Sequence, residues 1–434
     1  MKKRIDITLI KEFKAMREPM NFQEAIVESN RCLLCEDAPC SIGCPAGTDP
    51  GKFIRQIKFQ NYKGAARTIR NNNIMGSSCA SICPTEQLCE ENCSMKDVTH
   101  TINIGALQQF AITYGMENNI EPMTMSKKTA GKVAVIGAGP AGLGCAAELA
   151  KMDYDVTVYE KDSYAGGVLK WNIPDFRLPL NILENDLKNV KDLGIEIKYN
   201  TEINTKEMAD NLLKDNDAVF LGMGLNKPNS LSVFEGFDNS KYYTDFLKLI
   251  KKSKEDAVKL IKDKFVSVIG GGSAAIDCAI SAVALGARRV TVIHRRDEFR
   301  ALPEEIELSH SLNIVFRPSV RITGVKSDNN KIIAIKGNEV LYSLSNIVDV
   351  EDTEFSLKSD VVIQSIGGHS SVKELFPNLE TTKNGYVINN KNITNEKKIF
   401  AAGDLVNGGD TAVAAVGEGK KVAMAIHNFI KGGK

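Results

Sequence analysis

The stretch VAVIGAGPAG, residues 133–142, decides the fold. A short β-branched run enters a turn with glycines at 137, 139 and 142, and a helical segment follows. Gly137 permits the tight turn, Gly139 lets backbone approach a pyrophosphate, and Gly142 allows close helix–strand packing. Phosphates would lie against the free N–H groups at the N-terminus of the helix that Pro140 and Ala141 open. The next strand, DVTVYE, ends in Glu160, about 20 residues on, where an acid binds a ribose hydroxyl. A lone G-x-G-x-x-G is weak and can be a merely tight loop. With strand, helix and terminal acid in place, it reads as a dinucleotide site.

A second turn, VIGGGSAAID at 268–277, repeats the design with Gly270, Gly272 and Ala275. Ser273 and Ala274 open its helix, and its following strand, RVTVIH, ends in His294-Arg295-Arg296 rather than in an acid. Guanidinium groups there, with Arg300 close by, suit a ribose 2′-phosphate and favour NADP(H). The alternative is that these arginines are solvated or pair with Asp297 and Glu298. Two such units in one chain form an internal repeat and suggest two dinucleotides, a flavin in the first and a nicotinamide in the second.

Further strands are expected at 195–199, 217–222, 360–367 and 398–404, and a hairpin tip at KSDNNK, 326–331. Near the C-terminus, IFAAGDLVNGGDTAVAAVGEGKKVAMAI (399–426) resembles the flavin-closing motif of two-dinucleotide flavoproteins, with Asp404 at the ribityl chain. The helix after Gly409 would aim its positive end at the flavin ring and stabilise the anionic reduced form. Candidate FAD contacts are thus Gly137, Gly139, Pro140, Ala141, Gly142 and Glu160, with Gly167, Leu169, Gly403, Asp404, Thr411, Ala412 and Val413. The expected division is a helical domain at 1–128, an FAD domain split into 129–225 and 367–434, and an NAD(P)H domain at 226–366. The expected fold class is α/β: two Rossmann-like domains that resemble those of glutathione and thioredoxin reductases, preceded by a mostly α-helical domain that carries most of the cysteines.

The helical region has Phe53, Ile54, Ile57, Ala65, Ala66 and Ile69 at helical spacing, with Thr48 or Asp49 as cap. EPMTMSKKTAGK then reads as a linker. Length suggests about three domains. Net charge is +1 and the hydrophobic fraction 43%, which points to neither nucleic acid nor membrane. MKKRIDITLIKEFKAM lacks the apolar core of a signal peptide, so a cytoplasmic location is expected.

That compartment bears on the ten cysteines, eight of which fall between Cys32 and Cys93. Reducing conditions disfavour a disulfide framework. Cys32, Cys35, Cys40 and Cys44-Pro45 form one group, and Cys79, Cys83-Pro84, Cys89 and Cys93 another. Zinc would be satisfied by paired CxxC motifs, yet only one CxxC occurs and no histidine precedes His100. The two Cys-Pro steps suit iron–sulfur ligation, in which such a cysteine serves the neighbouring cluster. Zinc and disulfides are the alternatives. Residue spacing alone would divide the eight cysteines between two all-thiolate sites, Cys79 included. Cys145 and Cys278 read as small buried thiols. With no CxxC in 94–434, the flavoprotein part has no dithiol relay.

The segments RCLLCEDAPCSIGCPAGTDPGKFI, NYKGAARTIRNNN, CASICPTEQLCEENC and INIGALQQF, with both dinucleotide turns, resemble the dihydropyrimidine dehydrogenase family. The resemblance covers residues 20–434: the N-terminal half of that enzyme and the flavoprotein subunits of its bacterial NAD-dependent form. The small subunit of glutamate synthase is similar more loosely. The resemblance implies two [4Fe–4S] clusters with a crossed ligand set. Cys32, Cys35, Cys40 and Cys93 would hold one; Cys44, Cys83, Cys89 and Gln108 would hold the other, with Gln109 as the alternative and Cys79 left over.

By the same resemblance, NAD(P)H would reduce FAD, and the clusters would carry electrons to an FMN-containing partner that reduces uracil or thymine to the 5,6-dihydropyrimidine. The rivals are an electron-input subunit for glutamate synthase or for a bifurcating ferredoxin–NAD(P) oxidoreductase, and a non-catalytic redox-sensing or scaffold module. Hydride transfer needs positioning rather than an acid–base group, so no catalytic side chain is named.

Overall fold

Runs such as KVAVI and FVSVI are apolar at nearly every position, which suits strands covered on both faces of a parallel sheet. The computed structural model describes residues 7–14, 19–343 and 346–432, and in it the chain forms two compact units. The larger contains Arg17–Lys170, Leu178–Lys227 and His369–Lys434; the smaller contains Met1–Met16, Trp171–Arg177 and Pro228–Gly368.

In the larger unit a five-stranded parallel sheet has the spatial order Ile399–Ala401, Ala218–Leu221, Lys132–Ile136, Asp155–Tyr159, Glu196–Lys198. In the smaller unit the order is Ser240–Tyr242, Val361–Gln364, Phe265–Ile269, Arg289–Ile293, Val315–Arg317, again parallel. Each glycine turn follows the central strand, where strand order reverses and ligands bind outside the carboxyl ends. The smaller unit also carries an antiparallel sheet of Val320–Asp328, Lys331–Ser343, Asn346–Asp349 and Phe355–Lys358. Its hairpin tip is Asn329-Asn330, both left-handed at φ 44° and 61°, a conformation asparagine tolerates.

Two features depart from the sequence reading. The expected periodic helix is two helices, Pro50–Lys58 and Tyr62–Asn72. Gln60 adopts φ 59°, which a right-handed helix cannot contain, and the Asn61 side chain accepts from the Gly64 N–H to start the second. Asp49 caps the first by accepting from the Lys52 N–H. The second departure is that residues 7–14 and 171–177 belong with the second glycine turn. Ile10 and Phe176 are fully buried in the core built by Phe246, Ile261, Ile276 and Val292.

Arg177 fastens the same segment. Its Nη1 donates to both Asp277 carboxylate oxygens at 3.0 and 2.8 Å, and lies 3.0 Å from Glu305 Oε1 without hydrogen-bond geometry. Among the described residues, no helix is long and apolar enough to cross a membrane.

Candidate functional site

The two glycine turns are alike in atomic detail. A Cβ on Gly137 would come within 2.6 Å of the Gly222 carbonyl oxygen, and one on Gly270 within 2.1 Å of that of Ser365. Gly137 and Gly270 both have positive φ, 100° and 152°. Gly142 could not be alanine, since its Cβ would lie 1.9 Å from the Gly137 oxygen; in the second turn Ala275 occupies that place. Above Gly272 nothing lies within 4 Å, and Gly139 meets only the Gly222 oxygen at 3.9 Å. Each turn thus leaves an open cradle over the N-terminus of a helix, Pro140–Lys151 or Ser273–Ala284, and a pyrophosphate fits both.

Around the first cradle, Glu160 is buried, and burial raises its carboxyl pKa. Its Oε2 accepts from the Ala138 N–H at 2.8 Å and its Oε1 from Asp162 at 2.9 Å, so the acid is fixed beside the turn. A Cβ on Gly167 would lie 3.0 Å from the Gly139 Cα, so the loop before the buried Leu169 packs against the glycine turn. Gly403, at φ 73°, brings Asp404 against the same helix start, with Ala141 Cβ 2.9 Å from a Cβ there. Burial raises the pKa of Asp404. Glu418, which the sequence reading did not single out, accepts from Gly403 N–H at 2.7 Å and from Asn407 Nδ2 at 3.0 Å. It ties this turn to the C-terminal helix, Ala412–Gly432. Thr411 Oγ1 caps that helix by accepting from Ala414 N–H at 3.2 Å.

Around the second cradle, His294 packs its ring on Gly271, where a Cβ would meet it at 2.6 Å. Burial first, then Arg296, Arg295 and Arg300, lower the His294 pKa. Arg295 and Arg300 are exposed and Arg296 half-buried. Among the described residues, neither Asp297 nor Glu298 forms an ion pair with them, so the guanidinium groups face solvent beside the open turn.

The cysteine region belongs to the larger unit, and its thiols fall into two groups. Cys32, Cys35, Cys40 and Cys93 line one small cavity with Leu34, Pro39, Met95 and Ile102. Burial, with Cys93 and Cys32 as neighbours, pushes the Cys40 thiol up to about 11. Cys83 is raised by its hydrogen bond with Cys79, by burial, and by Cys79, Cys44 and Cys89 nearby. Cys89 is raised by burial first, and it also feels Cys40, so the two groups are adjacent. Buried thiols that resist ionisation become thiolate ligands where a cationic core compensates their charge. An iron–sulfur cluster supplies that core, and the donor sets suit one.

Gln108 is buried, and its Nε2 donates to the Gly76 carbonyl at 2.8 Å; Gln109 is half-buried. The residue in hydrogen-bond contact with Cys83 is Cys79, whose helix, Gly76–Ile82, begins at the carbonyl that Gln108 holds. Cys145 and Cys278 are fully buried in separate helices, and burial pushes both thiols up. Neither can relay a disulfide.

A helix C-terminal to the first cradle reaches directly into the cysteine region. Asp186, on the helix Leu180–Asp192, accepts from the Ser77 and Ser78 N–H groups at 3.0 and 2.8 Å, capping the helix that leads to Cys79 and Cys83. Burial raises its pKa from 3.8 to about 6. The folded chain therefore holds this proton more tightly than the unfolded chain, and stability falls as pH rises from about 4 to about 6. Asp186→Asn is expected to flatten that part of the stability–pH curve. Asp186→Ala leaves two buried donors unpaired and costs roughly 1–3 kcal/mol. Thermal unfolding from pH 4 to 8 checks both.

Comparisons with known proteins match two successive parts of the chain. Residues 9–120 match the family model described as dihydropyrimidine dehydrogenase domain II, 4Fe-4S cluster. Residues 131–419 match the pyridine nucleotide-disulphide oxidoreductase model. The NAD-dependent dihydropyrimidine dehydrogenase subunit PreT of Escherichia coli is 38% identical over 410 residues, covering 94% of this chain and 95% of that protein. The Salmonella typhimurium subunit is 36% identical, with 94% of each chain covered. Among solved structures, FprA from Mycobacterium tuberculosis aligns with TM-score 0.61 at 15% identity, over 70% of this chain and 85% of that one. Thioredoxin reductase of T. acidophilum aligns with TM-score 0.55 at 18% identity, over 69% and 98%. These structural likenesses show the fold. The sequence matches show more: the chain belongs to the NAD-dependent dihydropyrimidine dehydrogenase subunit family, NAD(P)H oxidoreductases in which a 4Fe-4S domain precedes a pyridine nucleotide oxidoreductase domain.

Proposed function

We propose that this chain is the electron-input subunit of a dihydropyrimidine dehydrogenase, taking electrons from NADH or NADPH and passing them to an FMN-containing partner that reduces uracil or thymine. FAD accepts a hydride as two electrons and [4Fe–4S] clusters pass them on singly, which is the chemistry these groups supply when bound. In this reading Gly270, Gly272 and the arginines after His294 hold the nicotinamide dinucleotide. Gly137, Gly139, Glu160 and Asp404 hold FAD. Cys32, Cys35, Cys40 and Cys93 hold one cluster; Cys44, Cys83, Cys89 and Gln108 hold the second. The domain limits proposed from the sequence are kept for the cofactor assignments, with residues 7–14 and 171–177 transferred to the nicotinamide side.

One observation carries this reading. A Cβ on Gly417 would lie 2.1 Å from the Pro45 carbonyl oxygen, and one on Gly419 2.2 Å from the Ala141 oxygen, so the C-terminal helix touches both the backbone after Cys44 and the helix that opens the first cradle. The cysteines and that dinucleotide site therefore share one compact unit, as an electron path between them requires.

The test is anaerobic kinetics of the pure, cofactor-loaded chain. Alone it is expected to oxidise NAD(P)H with an artificial acceptor and to show no uracil-dependent oxidation; adding the partner restores the latter. Uracil turnover by the chain alone sinks the proposal. Glutamine- and 2-oxoglutarate-dependent oxidation with a co-purified partner would instead select the glutamate synthase alternative. Failure of NAD(P)H to bleach the flavin band would select the scaffold.

A further inference from the structure

The C-terminal helix touches the cysteine region through a charge as well as through Gly417. Lys420 Nζ donates to the Ala46 carbonyl at 2.6 Å and to the Asn72 carbonyl. Ala46 lies in the turn that aims Cys44, closed by Gly47 N–H donating to the Cys44 carbonyl at 2.9 Å. The Cys44 Sγ has the Thr48 N–H and Oγ1 at 3.4 and 3.3 Å. Thr48 is held in turn by Asn73 Nδ2 on its hydroxyl at 3.2 Å and by Asn72 Nδ2 on its carbonyl at 3.4 Å. Lys420 thus fastens both segments of this small network; burial is the largest influence on its ammonium and lowers its pKa, while Glu148 and then Cys44 favour the charged form.

Helix geometry puts Lys420 about 12 Å along the axis from Ala412, at the start of the same helix. Glu148, on the helix Pro140–Lys151, pairs with Lys151 at 2.8 Å and also acts on Lys420. A bland reading has Lys420 as a mechanical staple, its charge immaterial. Chemistry separates the two. Reduction adds one electron and no proton to a cluster, drawn from NAD(P)H through the flavin, so a fixed cation held on the backbone turn that carries a ligand favours the reduced state.

We infer that Lys420 is a positioning residue whose positive charge, held beneath the Cys44 turn, raises the reduction potential of the cluster that Cys44 ligates and leaves the other cluster unchanged. This rests on the proposed ligand role of Cys44. It makes the cluster next to the C-terminal helix the better acceptor for electrons arriving from the first cradle.

The experiment is an EPR-monitored redox titration of the loaded full chain, with iron content measured for each variant. Cys44→Ala identifies the relevant signal as the one it loses. Lys420→Met is expected to lower the midpoint of that signal by the equivalent of about tenfold in its reduction equilibrium, about 59 mV for one electron. Lys420→Arg restores it, and Glu148→Gln shifts the same signal upward. Wild-type midpoints in a fully loaded Lys420→Met chain overturn the inference, as do equal shifts of both signals. If Lys420→Met fails to assemble the cluster, Glu148→Gln decides: an upward shift of that signal supports the inference and no shift overturns it. Two intact signals in Cys44→Ala overturn the ligand role and the inference with it. One lost signal without a Lys420 shift overturns the inference alone.

Discussion

Arg177→Met is expected to destabilise the smaller unit by about 3–5 kcal/mol, because it strands two buried carboxylates. The Arg177, Asp277 and Glu305 side chains are 12%, 3% and 7% exposed, so water cannot replace the lost cation. At roughly 2–4 °C per kcal/mol for a unit of this size, the unfolding midpoint should drop by about 6–20 °C. The loss should depend on pH. Burial already raises the Asp277 carboxyl to about 6, with Arg177 the main group pulling it down. Without Arg177 the folded state holds that proton still more tightly, so the variant loses further stability as pH rises through 6 and beyond. Calorimetry at pH 5 and pH 8 measures this. A shift of a degree or two at both values would show that Asp277 and Glu305 find other partners.

The second large effect is on the clusters. Cys44→Ala and Cys89→Ala should each abolish the same EPR signal and lower iron content by about half, the share of one of two equal clusters. Cys32→Ala and Cys93→Ala should abolish the other. Electron delivery to the partner is then lost, while NAD(P)H still bleaches the flavin, because both glycine cradles lie outside the cysteine region. Cys93 is the informative member: the sequence sets it beside Cys89, and the fold sets it in the cavity of Cys32, Cys35 and Cys40. If Cys93→Ala and Cys89→Ala remove the same signal, the crossed ligand set is wrong. The fourth ligand of the second cluster is settled by the same measurement. With Gln108 as ligand, Gln108→Ala perturbs the signal of Cys44 and Cys79→Ala leaves both signals in place. Cys79 holds a hydrogen bond with Cys83, so the opposite outcome would restore the all-thiolate division.

Much of the site was legible because the informative residues are neighbours in sequence. A strand, a glycine turn and a helix interact over ten residues, and the chemistry of a phosphate cradle is written there in full. Both turns, Glu160 and the strands that carry them could be read this way. So could the hairpin at Asn329-Asn330 and the Asp49 cap. The break at Gln60 was missed because apolar spacing continued through it on both sides, and periodicity does not report one left-handed residue.

The sequence by itself determined two dinucleotide turns, a cysteine region of iron–sulfur type and, through its motifs, the family. Tertiary structure alone decided how these parts are joined. Arg177 meets Asp277 across 100 residues, Ser78 meets Asp186 across 108, and Lys420 meets Ala46 across 374. Each of these is a polar group that must find a partner once buried. Which partner it finds depends on how the surrounding helices pack, and local propensity carries no trace of that. The cysteines follow the same rule: spacing named the candidate ligands as a set, and packing placed Cys93 in the cavity of Cys32, Cys35 and Cys40 and the backbone after Cys44 against the C-terminal helix.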